Sequence, residues 1–164
     1  MSDHAAVHVE PGTDPAAVER ILRSLPAWFG IESALNDYVA SAATSTSFVA
    51  VRAGEVVGVA LIERHFAESA ELTLLAVHAD HRGGGAGRAL VAAVETHLAH
   101  DGCRFLEVHT VGPSYDDANY AKTRAFYRAV GFTPMHEFDG LDWPGPTLIL
   151  IKSLDAPDGK TPQV

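Results

Sequence analysis

The chain has 164 residues and a formal net charge of −9, a length that suits one well-buried domain better than two. The acidic balance argues against nucleic acid as a partner, which would ask for a clustered basic face, and mildly favours a cationic acceptor such as an amine. No apolar run of about eighteen residues exists, so no membrane span is expected, and the opening MSDHAAVHVEPG lacks the basic and apolar regions of a signal peptide.

Residues 7–9 read as a first strand. Asp14 then stands as a helix N-cap with Pro15 at the first helical position. Val18, Ile21, Leu22 and Leu25 follow at helical spacing, and Pro26 stops the helix. Trp28 and Phe29 lie on the short connection to a second helix, 32–43, which carries Leu35, Tyr38 and Val39. Two large aromatics there are either core anchors or the wall of an acceptor pocket.

Residues 48–51 and 56–62 read as a hairpin around Ala53-Gly54-Glu55, with Gly58 pointing to a bulge or a close backbone approach. A long strand, 71–77, ends in a polar turn, 78–82, followed by four glycines in five positions (Gly83, Gly84, Gly85 and Gly87) and a helix, 87–100, amphipathic through Leu90, Val94 and Leu98. A further strand, 105–111, follows Asp101-Gly102. The order strand, helix, strand implies that 105–111 runs parallel to 71–77. A turn-rich loop, 112–119, leads to a helix, 120–130, closed by Gly131. The last strands are 133–138 and 147–154, and the tail 155–164 is expected to be mobile. Repeats and linkers are absent, so 1–154 reads as a single domain. The single cysteine, Cys103, allows no internal disulfide, suits a reducing cytoplasm and reads as a small core residue.

The glycines carry the chemical signal. A helix leaves its first N–H groups without intrahelical acceptors, and glycines before them let a phosphate approach the backbone. With Arg82 and Arg88 flanking, Gly83, Gly84, Gly85, Ala86 and Gly87 make a diphosphate cradle. A Walker-type loop is excluded because Gly87 is followed by Arg88 and Ala89. A dinucleotide fingerprint fails too: counted from Gly83 its last position is Arg88, and counted from Gly85 it is Leu90.

What fits is Arg82-x-x-Gly85-x-Gly87 between a strand and a helix, together with YAKTRAFYRAVGF at residues 120–132. The first resembles the R/Q-x-x-G-x-G/A signature of the GNAT N-acetyltransferase superfamily, and the second is similar to that family's late helix ending in Phe-Tyr-x-x-x-Gly-Phe. The resemblance covers about residues 47–154. It implies an α/β fold of the GNAT type: a mixed, mostly antiparallel central sheet of six to seven strands, helices on both faces, and a splayed parallel pair in the middle. It also implies acetyl-CoA as co-substrate, its diphosphate on the loop amides and its pantetheine arm paired with the backbone of Leu75, Ala76 and Val77.

Direct transfer to an amine needs a base, a polarised carbonyl and a proton for the departing thiolate. The resemblance gives Tyr127 the role of acid and Glu71 that of base, as in the histone-modifying branch. Glu71 lies about 13 Å from Leu75 along a straight strand, so its proton transfer calls for a bulge or a water chain. His109 is the rival base, with an ordinary pKa of about 6.5. On the acceptor side the resemblance favours Trp28 and Phe29, and His109 is placed there as well. An asparagine common in the family seven residues before the tyrosine is Tyr120 here, with Asn119 one step earlier.

His78-x-x-His81 and His97-x-x-His100 supply too few convergent ligands for zinc, so no metal is expected. The acceptor is a small-molecule or peptide amine of unspecified identity. Oligomeric state is open, a homodimer among the options. Two rival readings are a non-catalytic acyl-CoA-binding module and a nucleotide-dependent enzyme with Glu107 as ribose ligand.

Overall fold

A computed structural model describes residues 5–154; the tail expected to be mobile lies outside the described residues. In chain order the elements are β1 (His8–Pro11), α1 (Pro15–Arg23), α2 (Glu32–Ala42), β2 (Thr46–Arg52), β3 (Glu55–Phe66), β4 (Ser69–Val77), a turn of 3-10 helix (Ala79–His81), α3 (Ala86–His100), β5 (Phe105–Val111), α4 (Ala118–Ala129), β6 (Thr133–Asp139) and β7 (Pro146–Ser153). The seven strands form one sheet in the order β1-β2-β3-β4-β5-β7-β6. It is mostly antiparallel, and the expected parallel pair is β4 with β5. Among the described residues no helix is long and apolar enough to cross a membrane.

The chain divides into two compact units: the segment up to Glu63 with Thr73–Val94, and Arg64–Leu72 with the segment from Glu95 onward. In the first, Asp14 caps α1 by accepting from the Ala17 amide at 3.0 Å, and Pro15 opens the helix. The helix ends at Arg23, earlier than Pro26 requires, with Ser24 as its C-cap. Its buried face of Val18, Ile21 and Leu22 packs with Leu35 of α2 against Val49, Val51, Val59, Leu61, Leu74 and Ala76 of the strands. Burying each such aliphatic side chain contributes about 1.5–3 kcal/mol relative to exposure.

The opposite face of these strands takes α3. Gly58 shows the close approach expected of it: a Cβ there would lie 3.0 Å from Leu90 Cδ1 and 3.3 Å from the Ala76 carbonyl. The expected bulge is present too, as a register shift where Ala50 pairs with Gly58 but Val51 pairs with Val56. Helices therefore cover both faces of this part of the sheet.

In the second unit β7 enters between β5 and β6, antiparallel to both. Here α4 starts two residues earlier than expected, because Asp117 accepts from the amides of Asn119 at 2.9 Å and Tyr120 at 3.1 Å. Gly131, at φ 101°, takes the left-handed turn after α4, and Lys152 donates to the Val130 carbonyl at 2.6 Å. Cys103 is buried with its thiol 3.4 Å from the carbonyls of Glu68 and Phe105, the core role expected of it.

Candidate active site

The first unit builds the glycine loop. After β4 the His78 side chain accepts from the Asp80 amide, shaping the 3-10 turn, and the chain leaves it extended at Arg82. Gly83 and Gly85 sit at φ 76° and 87°, where a side chain would be strained. Gly85 also accepts the first helical bond of α3, from the Ala89 amide at 3.0 Å. The amides of Ala86, Gly87 and Arg88 therefore open the helix at its positive end. Ala86 turns its methyl inward, and Arg82 and Arg88 are both exposed.

Three side chains from outside brace this loop. Arg52, at the end of β2, donates to the Gly84 carbonyl at 2.9 Å, and a Cβ on Gly84 would run into that guanidinium. Ser24 accepts from the Ala79 amide at 3.1 Å. Trp28 lies under Arg82, whose guanidinium carbon is 4.4 Å from the ring centroid. Phe29 meets Tyr38 edge-on at 5.7 Å, and both, like Trp28, pack against the core. None of the three braces carries a motif.

The second unit gathers a different set. The parallel ladder pairs Ser69–Glu71 with Phe105–Glu107, so Glu71 and Glu107 are register neighbours at its end, while β4 itself runs on to Val77. His65, on a part of β3 beyond the expected end at residue 62, has Nε2 2.9 Å from Glu71 Oε2 and 3.7 Å from Glu107 Oε1. His109 has Nδ1 2.8 Å from Asp142 Oδ2 and 3.8 Å from Glu71 Oε1, and Nε2 3.2 Å from Glu107 Oε1. The two candidate bases therefore share one network.

The side chain of Glu71 is only 17% exposed and that of His109 21%, so neither is an ordinary surface group. Carboxylates lie at both ring nitrogens of His109, an arrangement that favours the imidazolium, which can donate from both. Burial pulls its pKa down. The hydrogen bond to Asp142 and the charges of Glu71, Asp142 and Glu107 outweigh that, and the pKa is raised. Glu107 belongs to this network rather than standing alone as a ribose ligand.

Oxygen and nitrogen atoms of Glu71, Glu107 and His109 lie within 4.8 Å of one another, a spacing that could hold a cation. Imidazole–carboxylate contacts account for it, and His78, His81, His97 and His100 join no such group among the described residues. Tyr127 is buried on α4, edge-on to Phe126 at 5.5 Å and to Phe132 at 5.6 Å. Its helix is tied to the end of β5 by Arg124, which donates to the Val111 carbonyl at 2.8 Å.

The family model for the acetyltransferase (GNAT) family matches residues 16–132. The chain belongs to the GNAT acetyltransferase family. Solved structures agree on the fold. A protein from Desulfovibrio desulfuricans assigned to the GNAT family shares 21% identity at a TM-score of 0.79, over 91% of this chain and 99% of that one. A GNAT acetyltransferase from Elizabethkingia anophelis with acetyl-CoA bound shares 16% at a TM-score of 0.71, over 90% and 98%. The ribosomal-protein-S18-alanine N-acetyltransferase of Escherichia coli shares 17% at a TM-score of 0.72, over 91% and 94%. No curated protein matches the chain significantly.

Within GNAT membership, the glycine signature occupies the β4–α3 connection and Tyr127 lies on α4, the helix of the second motif. Arg52, His65 and Asp142 are the residues that sequence patterns passed over. The only earlier trace of them is compositional: an Arg closing a strand, and a His within Glu-Arg-His-Phe where apolar alternation stops.

Proposed function

We propose that residues 1–154 act as a single acetyl-CoA-dependent N-acetyltransferase domain, moving the acetyl group directly to an amine of a small molecule or peptide in a ternary complex. The observation that carries this is the loop from Arg82 to Arg88, where left-handed glycines open the first amides of a fifteen-residue helix between two exposed guanidinium groups. Amides, helix dipole and arginines suit the diphosphate of coenzyme A. The pantetheine arm pairs with the backbone of Leu75, Ala76 and Val77, which β4 carries beyond its short ladder with β5.

Glu71 takes the proton from the incoming ammonium. It is the better-placed base of the two candidates because both ring nitrogens of His109 are already engaged by carboxylates, Nε2 by Glu107 and Nδ1 by Asp142. A backbone N–H of Leu75 or Ala76 polarises the thioester carbonyl, and Tyr127 returns a proton to the departing thiolate. Trp28 and Phe29 wall the acceptor. Nothing in this chemistry calls on a metal or on an enzyme nucleophile. The network holds three carboxylates, Glu71, Glu107 and Asp142, to two imidazoles, His65 and His109, in keeping with a cationic acceptor, and the buried thiol of Cys103 suits the reducing cytoplasm.

Calorimetric titration with coenzyme A and acetyl-CoA tests the cradle, with NAD as the comparison. Thiol release over a panel of amines tests the chemistry. Binding in the micromolar range with turnover of at least one amine is the expected result. Binding with no turnover for any amine would favour the non-catalytic acyl-CoA module, and preference for NAD would overturn the cradle.

A further inference from the structure

The contact between Trp28 and Arg82 joins the α1–α2 connection to the first residue of the coenzyme loop. Arg82 is exposed and leaves the 3-10 turn with extended backbone, φ −70° and ψ 153°, so nothing in the loop's own secondary structure directs its side chain. Trp28 is placed independently of it. Its backbone amide donates to the Leu25 carbonyl at 3.1 Å, and its ring packs on the core cluster with Phe29 and Tyr38. The Ser24–Ala79 bond ties the same end of α1 to the turn before the loop.

A guanidinium lying over an indole is attracted by the ring quadrupole through its face and keeps its N–H edges in plane and available. An arginine held this way has already lost much of the rotamer freedom that binding a phosphate would otherwise remove. We infer that Trp28 is a positioning residue for coenzyme binding, acting through Arg82, whatever part it also plays toward the acceptor. This rests on the reading of the loop as the diphosphate site.

The test is calorimetric binding of coenzyme A, with pantetheine, which lacks the diphosphate, as the control ligand. Trp28→Ala is expected to weaken coenzyme A about two- to five-fold and to leave pantetheine unchanged. Trp28→Phe should restore most of that loss, since a phenyl face also attracts a cation, whereas Trp28→Leu should not. Arg82→Ala should cost more, and Trp28→Ala added to it should cost nothing further. If Trp28→Ala does not fold, the Phe and Leu variants carry the comparison.

Unchanged coenzyme A affinity in Trp28→Ala or Trp28→Leu overturns this inference alone. So does an equal loss for pantetheine, or a loss that persists on the Arg82→Ala background. Failure of the wild-type protein to bind coenzyme A at all overturns the diphosphate reading and this inference with it.

Discussion

The guanidinium of Arg52 donates to the carbonyl of Gly84, 2.9 Å away and thirty-two residues along the chain. The bond fixes the middle glycine of the loop between two left-handed neighbours, Gly83 and Gly85. Arg52→Ala is therefore expected to leave the protein folded and to weaken coenzyme A binding several-fold by freeing the loop. Gly85→Ala adds strain of about 1 kcal/mol to the folded state and should lower both thermal stability and affinity. Calorimetry and a melting curve on each variant separate these effects. An Arg52→Ala protein that binds like the wild type would show that the loop needs no brace.

His109 ties stability to pH. Its folded pKa is raised, so its protonation stabilises the native state fully below the unfolded value of about 6.5, and that contribution is lost as pH rises through the folded pKa. Asp142 supplies the hydrogen bond that most strongly raises it. Urea unfolding of Asp142→Asn against wild type should show its larger deficit at about pH 5.5–6, where both carboxylates and imidazole are charged, and a smaller one near pH 9. A deficit independent of pH would mean that the contact does not act through charge.

The catalytic roles make separable predictions. Glu71→Gln should lower kcat/KM by about 10²–10⁴, the range for losing a general base. His109→Gln leaves that carboxylate in place and should lower kcat/KM by far less. The reverse pattern, with His109→Gln abolishing activity and Glu71→Gln costing little, would give the base role to His109. Tyr127→Phe keeps the ring packed on Phe132 and should lower kcat while the protein stays folded.

Local chemistry was legible in the sequence, and convergence across the chain was not. Asp14 before Pro15, the glycines of the β4–α3 connection and Gly131 each specify their structure through neighbours within a few residues, and each holds. The two candidate bases, Glu71 and His109, come from different strands and could be named but not joined. His65 was missed because β3 runs on through Glu63–Phe66 with all four residues exposed, so no apolar alternation marks them as strand. Asp142 reaches His109 from a loop thirty-three residues on, and the placement of β7 between β5 and β6 follows from pairing that no local pattern encodes.

Gly58 offers a test of the core that is independent of catalysis. A Cβ there would lie 3.0 Å from Leu90 Cδ1, tighter than ordinary contact, and 3.3 Å from the rigid carbonyl of Ala76. Gly58→Ala should destabilise the protein by about 1–3 kcal/mol through overpacking, although a methyl would otherwise favour a strand over glycine. Leu90→Ala, at a fully buried site, should cost about 2–5 kcal/mol through the cavity it leaves. The double variant places the new methyl where the leucine was removed, so its loss should fall short of the sum of the two. Denaturant unfolding of the four proteins measures that coupling. Strict additivity would show that the bulge at Gly58, rather than the approach of α3, is what requires glycine there.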